Sequence, residues 1–474
     1  MKKVMLTVGC LLALTGRIAA QDADADTIKV DLGKALEIAL SDNPLIKIAG
    51  KEIKRVDYSK KAAWYGLLPS LNGTGQYTRN VKLQTMALGG TSMKIGQDNA
   101  ISLGLTLSLP IVAPALWRSI QMTSLEMQLA SEKSRASKIT LQSDVTKAYY
   151  SILLAQDSYK ALQNGYDIAK QNYELAKQRY ETGVAAEYDY VSAEVQMNNL
   201  LPNLLQVENG VAQAKMYLKV LMGVGAEVLL EIEGNLSDLE ADVANAYNAD
   251  SISLSSNTDL VQMDIQQKQL KKTLQIQRTQ RMPTLAAFGN FQYQSMGDDK
   301  DKVGINMITQ QPIVVPKGLT WYDPAISVGI QLNVPIFNGF TNTSKEKQMK
   351  IQMKQLELQR EYLENSLSVQ VRTALDNMEK AVKQMESNKK SVELAEKGYR
   401  ISGNRYNTGM GTMLELNNSA LALTQSQLSY NQAISDYLTA KADYEKIVGQ
   451  ERENKEEDAE NQENKEETKN KQDN

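Results

Sequence analysis

The chain has 474 residues, 42% of them hydrophobic and 23% charged, with a formal net charge of −3. That balance gives no electrostatic footprint for nucleic acid. Histidine is absent and Cys10 is the only cysteine, which excludes His/Cys zinc sites, Cys–His nucleophiles and Ser–His triads. No enzyme activity, cofactor or metal is expected.

The chain begins MKKVMLTVGCLLALTGRIAA. Lys2 and Lys3 are a basic start, Val4 to Leu14 an apolar core, and Ala19 and Ala20 a small-residue cleavage point, so residues 1–20 predict a secretory signal peptide. Cys10 interrupts the apolar core, whereas a lipidated cysteine would follow it. The mature chain would then hold no disulfide. No later segment supplies the roughly 18 consecutive apolar residues of a membrane helix. Passage into a membrane would therefore have to use strands.

Residues 21–223 form a first repeat. SDNPLIKIAG opens a helical stretch that ends at LLPSLNGTGQY. Strands are expected at about 70–79 and 100–110, joined by a long polar loop, 79–99. The second strand alternates strictly: Ile101, Leu103, Leu105, Leu107 and Leu109 oppose Ser102, Gly104, Thr106 and Ser108. A long helix follows from about Pro114, roughly 66 residues or about 100 Å at 1.5 Å each. Val145, Ala148, Ile152, Ala155, Tyr159, Leu162, Tyr166, Ala169, Tyr173, Ala176 and Tyr180 step along it by three and four, a heptad stripe. It stops at Arg179-Tyr180-x-Thr182-Gly183, after which a helix returns. Pro202 within that helix should kink or interrupt it.

Residues 224–250 are acidic and mixed, and read as a linker. Residues 251–449 then repeat the plan. Asn43 maps to Asn257, Pro69 to Pro283 and Leu71 to Leu285; ISLGLTLSLPI maps to ISVGIQLNVPI. Strands are expected at about 284–294 and 325–335 around a second loop, 295–323. The stripe returns as Val371, Ala374, Met378, Ala381, Met385, Asn388, Val392, Ala395, Tyr399, Ser402 and Tyr406, and ends in Arg405-Tyr406-x-Thr408-Gly409. The period is too long for a solenoid, so this is a tandem duplication. Residues 450–474 are polar and charged, the composition of a disordered tail.

The alternating strands fit either a half-buried soluble sheet or a transmembrane barrel with apolar side chains toward lipid. Trp64, Trp117 and Trp321 lie beside strands, and Phe288, Phe291, Phe337 and Phe340 in or beside them, as an aromatic girdle would require. Pro69, Pro110, Pro283 and Pro335 stand at the helix–strand junctions. These favour the barrel, with both loops extracellular. Four strands cannot close a barrel, and an open edge in lipid leaves backbone groups unsatisfied. Two copies would give eight strands and a filled interior; three would give twelve and a watery one. Small inward residues favour three. The alternative is a coiled-coil structural or adhesive outer-membrane protein without a pore.

The two RYxTG turns, LPSL and MPTL entering strands, and VPIFNGF leaving the last strand, in this order, resemble the TolC family of outer-membrane efflux channels. The likeness runs from about Thr27 to Gly449. It implies an α+β membrane protein of a Gram-negative outer membrane. The homotrimer would have a twelve-stranded transmembrane β-barrel, four strands per chain, continuous with a long α-helical coiled-coil tunnel in the periplasm. It implies a periplasmic adaptor (membrane fusion) protein and an inner-membrane RND or ABC pump as partners, in efflux or type I secretion. The RYxTG turns map to the periplasmic tip that closes the entrance and meets the adaptor, which nominates Arg179, Tyr180, Gly183, Arg405, Tyr406 and Gly409. The family's acidic position six beyond the glycine holds Asp189 and Glu415; the one nine beyond holds Ser192 and Asn418, a departure from the pattern. Each acid also sits in a first helical turn, where the helix dipole favours a carboxylate on its own account.

Overall fold

The structure is a computed structural model that describes residues 27–88, 91–240, 253–305 and 311–451. The expected signal peptide with Cys10, residues 241–250 of the expected linker and the expected disordered tail beyond 451 lie outside the described residues. The chain divides into two compact units.

The helical unit comprises residues up to 47, 137–253 and from 369 onward. It opens with β1 (Thr27–Val30) and α1 (Leu32–Asp42). α2 (Pro44–Tyr65) begins here and runs on into the other unit. The long helices α3 (Pro114–Glu181) and α6 (Thr341–Asn407) likewise belong to both units. Returning helices α4 (Glu187–Met222) and α7 (Met413–Val448) follow the two turns. Both heptad stripes are the buried face: Val145, Ile152 and Ala176, and Val371, Met378 and Ala381, are almost fully covered. Alternating small and large residues let helices approach closely, and burial of this kind contributes about 25 cal/mol per Å². α4 runs through Pro202 without a break. The expected interruption does not occur, because proline removes a single helical hydrogen bond and position 202 is exposed, where water can take the freed carbonyl.

The stretch between the repeats is more than a linker. It carries β6 (Leu229–Ile232), which pairs in parallel with β1, and a 3-10 turn at Leu236–Leu239. This segment is fastened to both repeats. Tyr149 of α3 donates to the Glu233 carbonyl, Asp157 accepts from Leu236 N at 3.0 Å, and Lys389 of α6 binds Glu240 at 2.6 Å.

The sheet unit comprises residues 48–136 and 254–368. Its long strands are β2 (Ser70–Arg79), β5 (Asn99–Val112), β7 (Thr284–Asp298) and β11 (Ala325–Asn333), with α5 (Thr258–Thr279) leading into β7. The order is β11-β7-β5-β2, every pair antiparallel. Cross-strand rows fix the faces. Val328, Gly289, Leu107 and Leu71 share one row, and Ile326, Phe291, Leu105 and Gly73 another. Ser327, Asn290, Thr106 and Asn72 form a row on the opposite face. The apolar face is strongly exposed: Val328 is 84% and Leu71 67% accessible.

Three sequence expectations change here. The stretches expected as loops hold strands of their own: β3 (Gln84–Leu88) pairs with β4 (Thr91–Ile95), β8 (Lys302–Ile305) with β9 (Pro312–Val315), and β10 (Gly318–Trp321) extends beside β7. Strands of four or five residues are too short to show a period-2 signal. Pro110 is inside β5, not at its end, and the ladder shifts register between Pro110 and Val112, a bulge that accommodates the missing N–H. Phe288 pairs with Ser108 and Gly329, so it lies on the polar face, opposite to Phe291.

Candidate functional site

The two RYxTG turns are built alike, and the sequence says why. In the first, Thr182 Oγ1 donates to the Gln178 carbonyl at 3.0 Å, Gly183 N to Tyr180 O at 2.9 Å and Val184 N to Arg179 O at 2.8 Å. In the second, Thr408 Oγ1 donates to Asn404 O at 3.0 Å, Gly409 N to Tyr406 O at 3.1 Å and Met410 N to Arg405 O at 2.8 Å. Gly183 and Gly409 have φ of 75° and 74°, the left-handed cap that satisfies helix-end carbonyls. Threonine and glycine are thus fixed by the end of the helix itself.

The turns differ in what their side chains do. Arg179 of the first repeat reaches the second: its Nη1 donates to the Tyr406 carbonyl at 2.7 Å and its Nη2 to the Asn407 carbonyl at 3.1 Å. The guanidinium lies 4.5 Å from the Tyr406 ring centroid, a cation–π contact. Arg405 stays at home, donating to the Met410 carbonyl at 3.1 Å and standing 3.7 Å from Glu415. Tyr406 is buried in a cluster with Ala176, Ala193, Met413 and Leu416. Tyr180, its counterpart, is 42% exposed and stacks on Tyr190 at 5.8 Å.

Burial pushes the Tyr406 phenol above its ordinary pKa; nearby Arg179 opposes this, and Asp189 adds to it. The Tyr190 phenol is pushed up to about 12, chiefly by its hydrogen bond with Tyr173 and by the Glu194 carboxylate. Asp189 and Glu415 both lie in the first turns of α4 and α7, and Thr412 caps α7 by accepting from Glu415 N at 3.2 Å. The tryptophans sit apart from this site, in the sheet unit: Trp64 on α2, Trp117 on α3 and Trp321 on β10 are all about half exposed, and Trp321 stacks on Tyr293 at 4.6 Å. Among the described residues no group of His, Cys, Asp and Glu could hold a metal, and no helix is long and apolar enough to cross a membrane.

The sequence profile of the outer membrane efflux protein family matches the chain twice, over residues 35–224 and 251–450. The chain belongs to the outer membrane efflux protein family. Each match covers one repeat, so the family signature is itself duplicated. The outer membrane protein TolC of Vibrio cholerae is 20% identical over 282 residues, 60% of this chain and 59% of that protein. The Campylobacter jejuni CmeC outer membrane channel superposes with a TM-score of 0.69 at 17% identity, covering 90% of this chain and 88% of that one. The Vibrio cholerae outer membrane protein VceC gives 0.67 at 15% identity, covering 88% and 96%. These likenesses establish the fold. An outer membrane efflux protein acts in transport rather than catalysis, and the outer membrane is where the family places this chain.

Proposed function

We propose that the chain is the outer-membrane exit duct of a tripartite efflux or type I secretion system. Three copies would build a twelve-stranded barrel in the outer membrane and a helical tunnel in the periplasm. Substrates would pass, chemically unchanged, from an inner-membrane pump of the RND or ABC type and a periplasmic adaptor. The paired RYxTG turns would form the gated entrance.

One observation carries this reading: an antiparallel sheet with one exposed apolar face, one polar face and two unmatched outer strands. Among the described residues, β2 pairs only with β5, and β11 only with β7. In lipid each orphaned backbone group costs several kcal/mol. β2 and β11 run in opposite directions, so β11 of one copy meets β2 of the next as an antiparallel pair, and repetition closes a barrel. Small polar residues on the other face leave room for water.

The test combines cross-linking in detergent with conductance. A trimer ladder, a heat-dependent gel shift and small conductance in planar bilayers are expected. Extraction without detergent, with no conductance under any condition, would instead support the structural or adhesive alternative.

A further inference from the structure

Near the turns, α3 and α7 run antiparallel, and two places mark their register. At one, Gly165 makes room for Thr424, whose Oγ1 would stand 2.6 Å from a β-carbon at 165. At the other, Ala176 shares the tip cluster with Met413. About two helical turns from the first contact and one from the second, the same register sets Asn172 opposite Asn417. Both are only 5% exposed. Their neighbours along the two helices are apolar and buried: Ala169, Ala176, Leu416 and Ala420.

The two amides are not satisfied. Asn172 Nδ2 and both Asn417 Nδ2 and Oδ1 lack any hydrogen-bond partner. Burying such a group without a partner is unfavourable, and a native site that does so calls for an explanation. The contrast with the other helix pair is direct. Asn388, also on a heptad stripe, donates to the Ser429 carbonyl at 2.8 Å and so joins α6 to α7 with its amide paired. Asn172 and Asn417 lie on α3 and α7, where the first repeat meets the second beside the Arg179 clamp.

We infer that Asn172 and Asn417 are gate-positioning residues that preload the tip for opening. Packed together, α3 and α7 hold three polar atoms away from water. When α7 moves off α3, those atoms are hydrated and the unfavourable term is released. The apolar cluster and the Arg179 clamp hold the tip closed; the asparagines lower the work of parting it. The inference rests on reading the tip as a gate.

The test compares reconstituted wild type with N172L/N417L in planar bilayers. Leucine keeps the branching of asparagine and removes the polar atoms. The double variant is expected to open about tenfold less often and to melt at a higher temperature. N417D, which places a carboxylate in the same apolar seam, is expected to open about tenfold more often at neutral pH and to return toward wild type as acid protonates it. Should the leucine pair not assemble as a heat-modifiable trimer, N172A/N417A removes the same atoms without added bulk, and its opening is read in the same way. If wild type conducts and the assembled leucine or alanine pair opens as often or more often, the inference is overturned while the channel reading stands. If wild type never conducts, the gate reading fails, and a melting temperature unchanged or lowered by the leucine pair overturns the burial argument independently.

Discussion

Arg179 and Arg405 occupy the same place in the two RYxTG turns and make different bonds. Arg179 joins the repeats through two carbonyls and a ring; Arg405 closes its own turn. Hydrogen bonds from a charged donor contribute about 1.5–3 kcal/mol, less where water reaches them. An ion pair at 3.7 Å between two half-exposed groups contributes about 1 kcal/mol or less. Arg179→Ala should therefore raise bilayer conductance severalfold, while Arg405→Ala leaves it nearly unchanged; equal effects would show that the cross-repeat clamp does not hold the tip. The glycines make a second prediction. Nothing lies within 4 Å of a β-carbon built at Gly183 or Gly409, so the only penalty of alanine there is the left-handed backbone. Gly183→Ala and Gly409→Ala should each destabilise by about 1–2 kcal/mol, and by the same amount, when unfolding is followed thermally. A much larger loss at one of them would reveal packing that the open space around both turns does not provide.

At the scale of elements, the segment from β6 to the 3-10 turn ties α3 to α6, and tyrosines make its ties sensitive to alkali. Burial pushes the Tyr149 phenol from the usual 10.0 up to about 12. Tyr430, half-buried and hydrogen-bonded to Glu240, is also pushed up to about 12. A phenol with a raised pKa keeps its proton in the folded chain when the unfolded chain has lost it. Its contribution is therefore complete below pH 10 and disappears between pH 10 and 12. Tyr149→Phe should lower stability at pH 8, where the hydrogen bond to Glu233 is lost, and flatten the decline between pH 10 and 12. Unfolding curves across that range check both effects. Much of this scale was legible in the sequence. The stripe from Val145 to Ala176 named the buried face of α3, and Thr182 with Gly183 named its end, because periodicity and capping are local. The β6 segment was not legible: four residues, Leu229–Ile232, form a strand only because β1 lies beside them. The strand pairs within 84–95 and 302–315 escaped because strands of four or five residues are too short to show a period. Which arginine crosses between the turns depends on the register between α3 and the second repeat. Two equivalent repeats cannot specify that asymmetry through a shared motif.

At the scale of the whole molecule, the question is which solvent the sheet is made for. In a soluble protein an exposed face bearing Leu71, Leu107, Ile326 and Val328 is an aggregation hazard. In a bilayer it would be the required surface, and the polar row of Asn72, Thr106, Asn290 and Ser327 would line the interior. Neighbouring residues on β11 separate the two cases at nearly equal depth. Val328 is on the apolar face and Ser327 on the polar one, and both are exposed in the single chain. If water bathed both faces, lysine would be tolerated at either position. If the apolar face meets lipid, Val328→Lys should cost about 2–4 kcal/mol near the bilayer midplane and sharply reduce the yield of heat-modifiable trimer in outer-membrane fractions. Ser327→Lys should assemble normally and shift single-channel selectivity toward anions, because each subunit then adds a positive charge to the shared lumen. Equal yields for the two variants would remove the lipid-facing assignment, and with it the need for three chains to close the sheet.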